Sequence, residues 1–269
     1  MGCNSVVSIR LYAECWNDEF MLPFFFRHYD PFVDHYVLFD DGSTDSTLSL
    51  LADRQNVEVR QFVWSDTESF AFSEQSLSNH CWKESRDAAD WVIVTDIDEH
   101  LFHPSMLQYL DICSDEGVTL IPALGFQMIG EDVPANEETL CRSRFFGAPW
   151  TQMMKPSIFK PSEIEEINFS VGRHTANPIG NVRVPQRDEL LLLHYKYLNF
   201  EQTYNRHRQL ATELKSKDIR LGMGHKYGWS RDELRKDWDK IVAGAVDVRK
   251  IITNAAEYYP YERWWSRYR

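Results

Sequence analysis

Nowhere in the chain is there a run of about 18 apolar residues, the length a helix needs to cross a bilayer. The stretch Met1 to Arg10 has no charged start followed by a long apolar segment, so no secretory signal is evident. Cysteine is scarce. The five present (Cys3, Cys15, Cys81, Cys113, Cys141) are odd in number, widely spaced and without a C-x-x-C pair. That excludes a zinc ribbon and a disulfide framework, and a reducing cytoplasm is the expected home. Asn168-Phe169-Ser170 matches a glycosylation acceptor, which means little without secretion. Positive charge is also in deficit: 29 Lys and Arg stand against 41 Asp and Glu, a net −12. A general nucleic-acid binder needs a basic surface, so no nucleic-acid partner is expected. A small polyanion held through a metal stays open. There is no internal repeat and no low-complexity linker, and Gly222-Met223-Gly224 lacks the preceding strand and third glycine of a dinucleotide fingerprint.

What is there suits a globular chain with a sizeable core: 269 residues, 43% hydrophobic and 14% aromatic. The first half alternates apolar strands with helical stretches. Strands are expected at residues 6–13, 35–39, 57–62, 91–95 and 119–128, with helices at 20–29, 47–53, 74–89 and 104–113. Such alternation implies βαβ units and an α/β fold with a mostly parallel sheet. Residues 129–188 are irregular. Leu190 to Tyr195 forms a late apolar strand, and helices follow at 200–216 and 231–248. The expected organisation is a catalytic domain over 1–199, with a nucleotide half to about 128 and an acceptor half beyond it, and a helical C-terminal extension over 200–269.

Two segments carry chemistry. Asp40-Asp41-Gly42-Ser43-Thr44-Asp45 follows an apolar strand and precedes a helix. Ligands of a parallel sheet bind beyond the carboxyl ends of its strands, so these polar groups face the crevice. A carboxylate there can accept a base N–H or ribose hydroxyls. An ordinary strand-turn-helix connection gives the same pattern. The second segment is Trp91-Val92-Ile93-Val94-Thr95-Asp96-Ile97-Asp98-Glu99. Alternation puts Asp96 and Asp98 on one side, and two convergent carboxylates repel unless a cation lies between them. Hard oxygen ligands suit Mg²⁺ or Mn²⁺, with diphosphate oxygens completing the shell. An exposed acidic turn is the plainer alternative.

Together these motifs resemble a GT-A glycosyltransferase of the family-2-like group. The first strand runs into Ala13-Glu14-Cys15-Trp16-Asn17-Asp18-Glu19, similar to that group's Asn-Glu-Glu turn, with Asp18 where its first Glu would stand. The run from Ala89 to Glu99, Gly172-Arg173-His174 and Leu192 to Tyr195 resemble a bacterial subgroup that assembles surface glycans. The resemblance implies a Rossmann-like GT-A fold and a metal-dependent, inverting transfer from a nucleotide-sugar, by family habit a UDP-sugar, to a glycan or lipid-linked acceptor. It implies that Asp41 contacts the nucleobase with support from Asp40, within a nucleotide-sugar set that also includes Ala13, Asn17 and Glu19. It implies that Asp96 reaches the ribose or a metal-bound water and that Asp98 ligates Mn²⁺ or Mg²⁺. His194, ending the late strand, is the expected further ligand, and His174 a second candidate.

Transfer needs a base for the acceptor hydroxyl. Glu131 and Asp132 follow the strand at 119–128 and are expected to supply it, with Asp188 another candidate. Lys83 shares a helix face with Asn79 and is a candidate phosphate contact. Trp16, Trp82, Trp150 and Trp229 are candidates for sugar stacking or core packing. The aromatic and basic tail, Tyr258 to Arg269, either lies on an anionic membrane surface at the inner face or packs on the domain. Competing functions are an Asp-x-Asp phosphohydrolase, which would require Gly-Thr where Glu99-His100 stands, metal hydrolysis through His100 and His103, and a noncatalytic carbohydrate-binding protein on the same fold.

Overall fold

The computed structural model describes residues 7–252 and 255–269, leaving aside the side chain of Ala256. Val6 and Cys3 therefore lie outside the described residues. The first half runs β1 (Ile9–Cys15), α1 (Leu22–Tyr29), β2 (His35–Asp40), α2 (Thr47–Ala52), β3 (Val57–Gln61), α3 (Phe70–His80), β4 (Trp91–Val94), β5 (Glu99–Phe102), α4 (Met106–Asp115), β6 (Leu120–Ile121) and β7 (Leu124–Ile129). Then come α5 (Leu140–Ser143), β8 (Phe146–Pro149), β9 (Ile158–Phe159), β10 (Ile164–Glu166), β11 (Ile179–Gly180), β12 (Leu191–Tyr197), α6 (Phe200–Glu213), α7 (Ser216–Arg220), α8 (Arg231–Gly244), β13 (Val246–Asp247) and α9 (Ala255–Tyr258).

The expected α/β architecture is present, with a mostly parallel central sheet flanked by helices. Its order is β3-β2-β1-β4-β9-β6. β1 pairs in parallel with β2 and β4, and β2 with β3. β4, Trp-Val-Ile-Val, is buried at every residue, as a strand covered on both faces must be. The carboxyl ends of β1, β2 and β4 open to one side, which puts Asp40, Asp41 and Asp96 at one crevice. A second sheet, β13-β8-β7-β12-β5, carries His194 on β12.

Two features of this second sheet depart from the sequence expectation. The strand expected over 119–128 splits at Pro122 into β6 and β7, which belong to different sheets. Proline lacks the N–H that a continuous ladder needs, and Ala123 instead donates to the Lys155 carbonyl at 3.1 Å. Directly after Asp98, the chain returns as β5, antiparallel to β12 with His194 opposite Glu99. The C-terminal extension is helical as expected, carrying α6 to α9, and it is also tied into the fold. β13 pairs with β8, and Tyr259 and Trp265 are fully buried in the main core. Its boundary residues also join the fold, since Phe200 and Trp238 pack with Tyr197. Among the described residues no helix is long and apolar enough to cross a membrane.

Beneath β5, His28 and His100 stack with ring centroids 4.6 Å apart at 13°. The His28 Nε2–H donates to the Leu101 carbonyl at 2.8 Å. Burial pulls His28 down to about 4, against an ordinary value of 6.5. The unfolded chain therefore takes up a proton that the folded chain refuses as pH falls from 6.5 toward 4. Stability is full above that window and drains through it, by about 3 kcal/mol from His28 at roughly 1.4 kcal/mol per unit. Urea midpoints between pH 7 and 4.5 should fall, and His28→Gln should flatten the slope. An identical slope in that variant would remove His28 from the account.

Candidate donor and metal site

The turns after β1 and β2 are stitched to each other. Asp40 accepts from the Gly42 N–H at 3.0 Å and the Ser43 N–H at 3.2 Å, fixing a turn in which Gly42 holds φ 80°. Asn17, itself at φ 50°, accepts from the N–H groups of Thr44 at 2.7 Å and Asp45 at 3.2 Å. Glu19 accepts from the Ser46 N–H at 2.9 Å. From the far end of the chain, Arg206 on α6 donates to the Trp16 and Asn17 carbonyls and to Asp18, all within 2.9 Å. Burial pushes the Asp18 carboxyl up to about 6 despite that arginine. Asp41 is half-buried and accepts from the Trp64 indole N–H at 2.6 Å through one oxygen.

The end of β4 carries a buried ion cluster. Arg173 is 2% exposed and is held at φ 57°. Its guanidinium donates to Glu74 at 3.2 Å, to the Val94 carbonyl at 2.7 Å, to Glu99 at 3.2 Å and, more closely, to Asp96. Lys155 is also buried; it pairs tightly with Glu99 and reaches Asp96 at 3.5 Å. Burial alone would raise the Glu99 carboxyl, but Lys155 and Arg173 overcome it and hold Glu99 well below the carboxylate range. The Asp96 side chain remains 40% exposed, facing the crevice while gripped from behind.

Asp98 and His194 meet across β5 and β12, with His194 Nε2 3.3 Å from Asp98 Oδ2. The tautomer follows from neighbouring groups. The Gln127 amide nitrogen donates to the Met128 and His194 carbonyls, both at 3.1 Å, so its oxygen is the acceptor. His194 Nδ1, 2.7 Å from that oxygen, must then carry the proton. In the neutral ring Nε2 keeps its lone pair and faces a carboxylate. Two acceptors at that spacing call for a cation between them, either a proton or a metal ion. Burial would raise the Asp98 carboxyl; the electrostatic interaction and hydrogen bond with His194 outweigh it and hold Asp98 far below its ordinary value. Trp150 packs against His194 at 5.4 Å. Lys196, two residues along β12, donates to the Tyr227 hydroxyl at 3.1 Å and has no ion pair among the described residues.

This donor set suits a hard divalent ion. One carboxylate and one imidazole supply two positions, and phosphate oxygens and water suit the rest. Among the described residues no group of three or more His, Cys, Asp or Glu side chains is placed to hold a metal.

The family model of glycosyltransferase family 92 matches residues 17–225. The chain belongs to glycosyltransferase family 92. The motifs alone suggest the family-2-like group, and the model that matches is that of family 92. No curated protein matches the sequence. Among solved structures, S. aureus TarS is similar at 17% identity and a TM-score of 0.41, over 77% of this chain and 39% of that one. The chain thus spans about two fifths of TarS. TarS 1-349 in complex with UDP-GlcNAc is similar at 15% identity and a TM-score of 0.41, over 94% of this chain and 76% of that one. Glucosyl-3-phosphoglycerate synthase from Mycobacterium tuberculosis, with Mn²⁺ and UDP, is similar at 21% identity and a TM-score of 0.30, over 45% of this chain and 44% of that one.

In this family-92 glycosyltransferase the expected site residues divide. Asp98 meets His194, Asp96 lies within electrostatic reach of Asp98, and Asp41 stands with Asp96 just past the carboxyl ends of parallel strands. The side chains of Asn17, Glu19 and Asp40 hold backbone N–H groups of the turns; Asp40 uses both oxygens there, while Glu19 Oε1 and the Asn17 amide nitrogen are not engaged in those contacts. Ala13 is buried within β1. Asp96 is neutralised by Arg173 and Lys155 and so is not a partner of Asp98 in a shared metal shell. His174 turns to the Gln152 carbonyl at 2.6 Å, away from that pair, and is not a third ligand. Lys83 is ion-paired with Glu166 at 2.6 Å and makes a strut rather than a phosphate contact. Asp188 accepts from Trp265 and Arg263 and pairs with Arg269, fastening the tail. Of the two alternatives for the tail, the structure shows packing on the domain, with Tyr259 and Trp265 fully buried. Trp82 is core, and Trp16 lies under Arg206 at 5.3 Å. Glu131 and Asp132 are exposed just past β7, four and five residues beyond Gln127, the register partner of His194. The sequence reading missed Lys155, Arg173, Gln127, Lys196 and Arg206.

Proposed function

We propose that the chain transfers a sugar from a UDP-sugar to a hydroxyl of a glycan or lipid-linked acceptor, with inversion, in the assembly of bacterial surface polysaccharide. The observation that supports this most is the fixed His194 tautomer opposite Asp98, beside a crevice lined by Asp41 and Asp96. In this reading the free oxygen of Asp41 accepts a base N–H, and Asp96 meets the ribose. Asp98 and His194 would hold Mn²⁺ or Mg²⁺, which offsets the charge of the leaving diphosphate. Lys196, an ammonium whose partner is a neutral phenol, meets a phosphate oxygen. The acceptor proton passes to Glu131 or Asp132. Arg206 keeps the turn after β1 in place.

Thermal melting with UDP, GDP and ADP, each with Mn²⁺ or excess EDTA, tests the reading. UDP with Mn²⁺ at about 100 times its Kd should add roughly 2.7 kcal/mol. Equal stabilisation in EDTA would count against the metal. Stabilisation by none of the three, with no UDP released from UDP-sugars, would overturn the reading.

A further inference from the structure

Beside the crevice, residues 168–177 form a floor between α3 and the C-terminal segment. Three residues in it hold positive φ: Asn168 at 50°, Gly172 at 68° and Arg173 at 57°. The floor is fastened to α3, where Asn79 Oδ1 accepts from the Phe169 N–H and Gln75 donates to the Phe169 carbonyl, both at 2.8 Å. Backbone held this far from its ordinary basins persists because the surroundings dictate it.

Above this floor stands Trp264. On one side is a cavity of about 690 Å³, lined by Gln75, Asn79, Asn177 and Arg267 among others. On the other is one of about 370 Å³, lined by Gln152, His174 and Glu262. Thr175 and Trp264 line both, so the two form one groove. The Trp264 indole N–H donates to the Met154 carbonyl at 2.7 Å, which sets the ring plane through its edge and leaves the faces to packing. His174 must donate through Nδ1, because a carbonyl only accepts, and Nε2 keeps a lone pair. That nitrogen lies 2.7 Å from where a Cβ on Gly172 would stand, so a larger residue would displace it. The groove ends one residue from Arg173, which grips Asp96.

The lining selects a class of ligand. A lipid chain needs a continuous apolar wall, and amides interrupt this one. A phosphate needs surplus cations, and Arg267 is already engaged with the Ala176 carbonyl and Asn177 at 3.3 and 3.2 Å. Asn79 is spent on the floor and the Asn177 oxygen on Arg267, which leaves Gln75 Oε1, the Gln152 amide, the Thr175 hydroxyl and the His174 Nε2 lone pair; such donors and acceptors around one fixed indole match a neutral polyol ring. We propose that the groove is a saccharide subsite that holds the acceptor glycan beyond its reacting sugar. The proposal rests on the sugar-transfer reading above.

Thr175 and Gln152 are exposed and sit on the groove, away from the donor crevice. Thr175→Arg fills the groove, and Gln152→Ala removes one amide from its second half. Saturation-transfer NMR with lactose, maltose, mannobiose and diacetylchitobiose as probes should show binding of at least one to the unaltered protein. Thr175→Arg should weaken it about tenfold or more, and Gln152→Ala less, with the UDP–Mn²⁺ melting response unchanged in both. Binding of none of the probes, or equal binding by all three proteins, overturns the subsite. Groove-dependent saccharide binding without any UDP response keeps the subsite and removes the transfer reading instead.

Discussion

Asp98→Asn should cost about 10²- to 10³-fold in turnover, the scale of losing one fixed electrostatic group at the reacting diphosphate, while the apo protein stays folded and melts only modestly lower, through loss of the charge paired with His194. The asparagine is nearly isosteric. Its amide can donate to the His194 Nε2 lone pair, so the apo contact is replaced rather than lost. What disappears is the negative oxygen that binds a cation. His194→Ala is a less clean test than its place at a crevice suggests. The residue is 6% exposed, and its removal strands the Gln127 oxygen, at about 1–3 kcal/mol of apo stability. Added Mn²⁺ should partly rescue its turnover, because the missing ligand lowers metal affinity first. Both variants belong on one Mn²⁺ activation curve, with apo melting measured on the same preparations. Turnover of Asp98→Asn near that of the unaltered protein would sink the metal assignment. An apo melting collapse in that variant would make Asp98 a structural residue.

The parts of this site that were legible in the sequence are contiguous. Asp41 and Asp96 follow apolar strands whose burial pattern is written in consecutive residues, and the parallel sheet follows from their alternation with helices. His194 ends an apolar run and could be placed by the same argument. What escaped is what the fold brings from a distance. Arg173 reaches Asp96 across 77 positions, Lys155 reaches Glu99 across 56, and Arg206 reaches Trp16 across 190. Such pairs leave no period in the sequence. For the same reason Asp96 and Asp98 read as two carboxylates awaiting one cation, whereas the fold gives Asp96 two fixed cations of its own. Glu99 stood in the motif but read as an acidic turn. Its neighbours His100 and Leu101 are fully buried, and a return strand that short is set by pairing with β12, not by its own pattern. The tail's arginines were visible as charge; that Asp188 waits for them was not.

Arg173→Met should lower stability by about 3–5 kcal/mol, the usual result of removing one member of a buried ion cluster. Three carboxylates face the guanidinium: Glu74, Glu99 and Asp96. Lys155 can still neutralise Glu99, but Glu74 loses its cation, and the Val94 carbonyl loses its donor. Burial already raises the Glu74 carboxyl even with Arg173 beside it, so the variant should take up a proton there. Arg173→Lys should not rescue the fold, because one ammonium cannot span contacts made by three separate guanidinium nitrogens. For a chain of this size about 10 °C of melting temperature is at stake, at roughly 2–4 °C per kcal/mol. The same substitution frees Asp96 from its grip, so UDP affinity should fall even at temperatures where the variant is folded. Melting within a degree or two of the unaltered protein would show that the cluster holds the aspartate in place without holding the fold together. Unchanged UDP affinity in a folded variant would show the reverse.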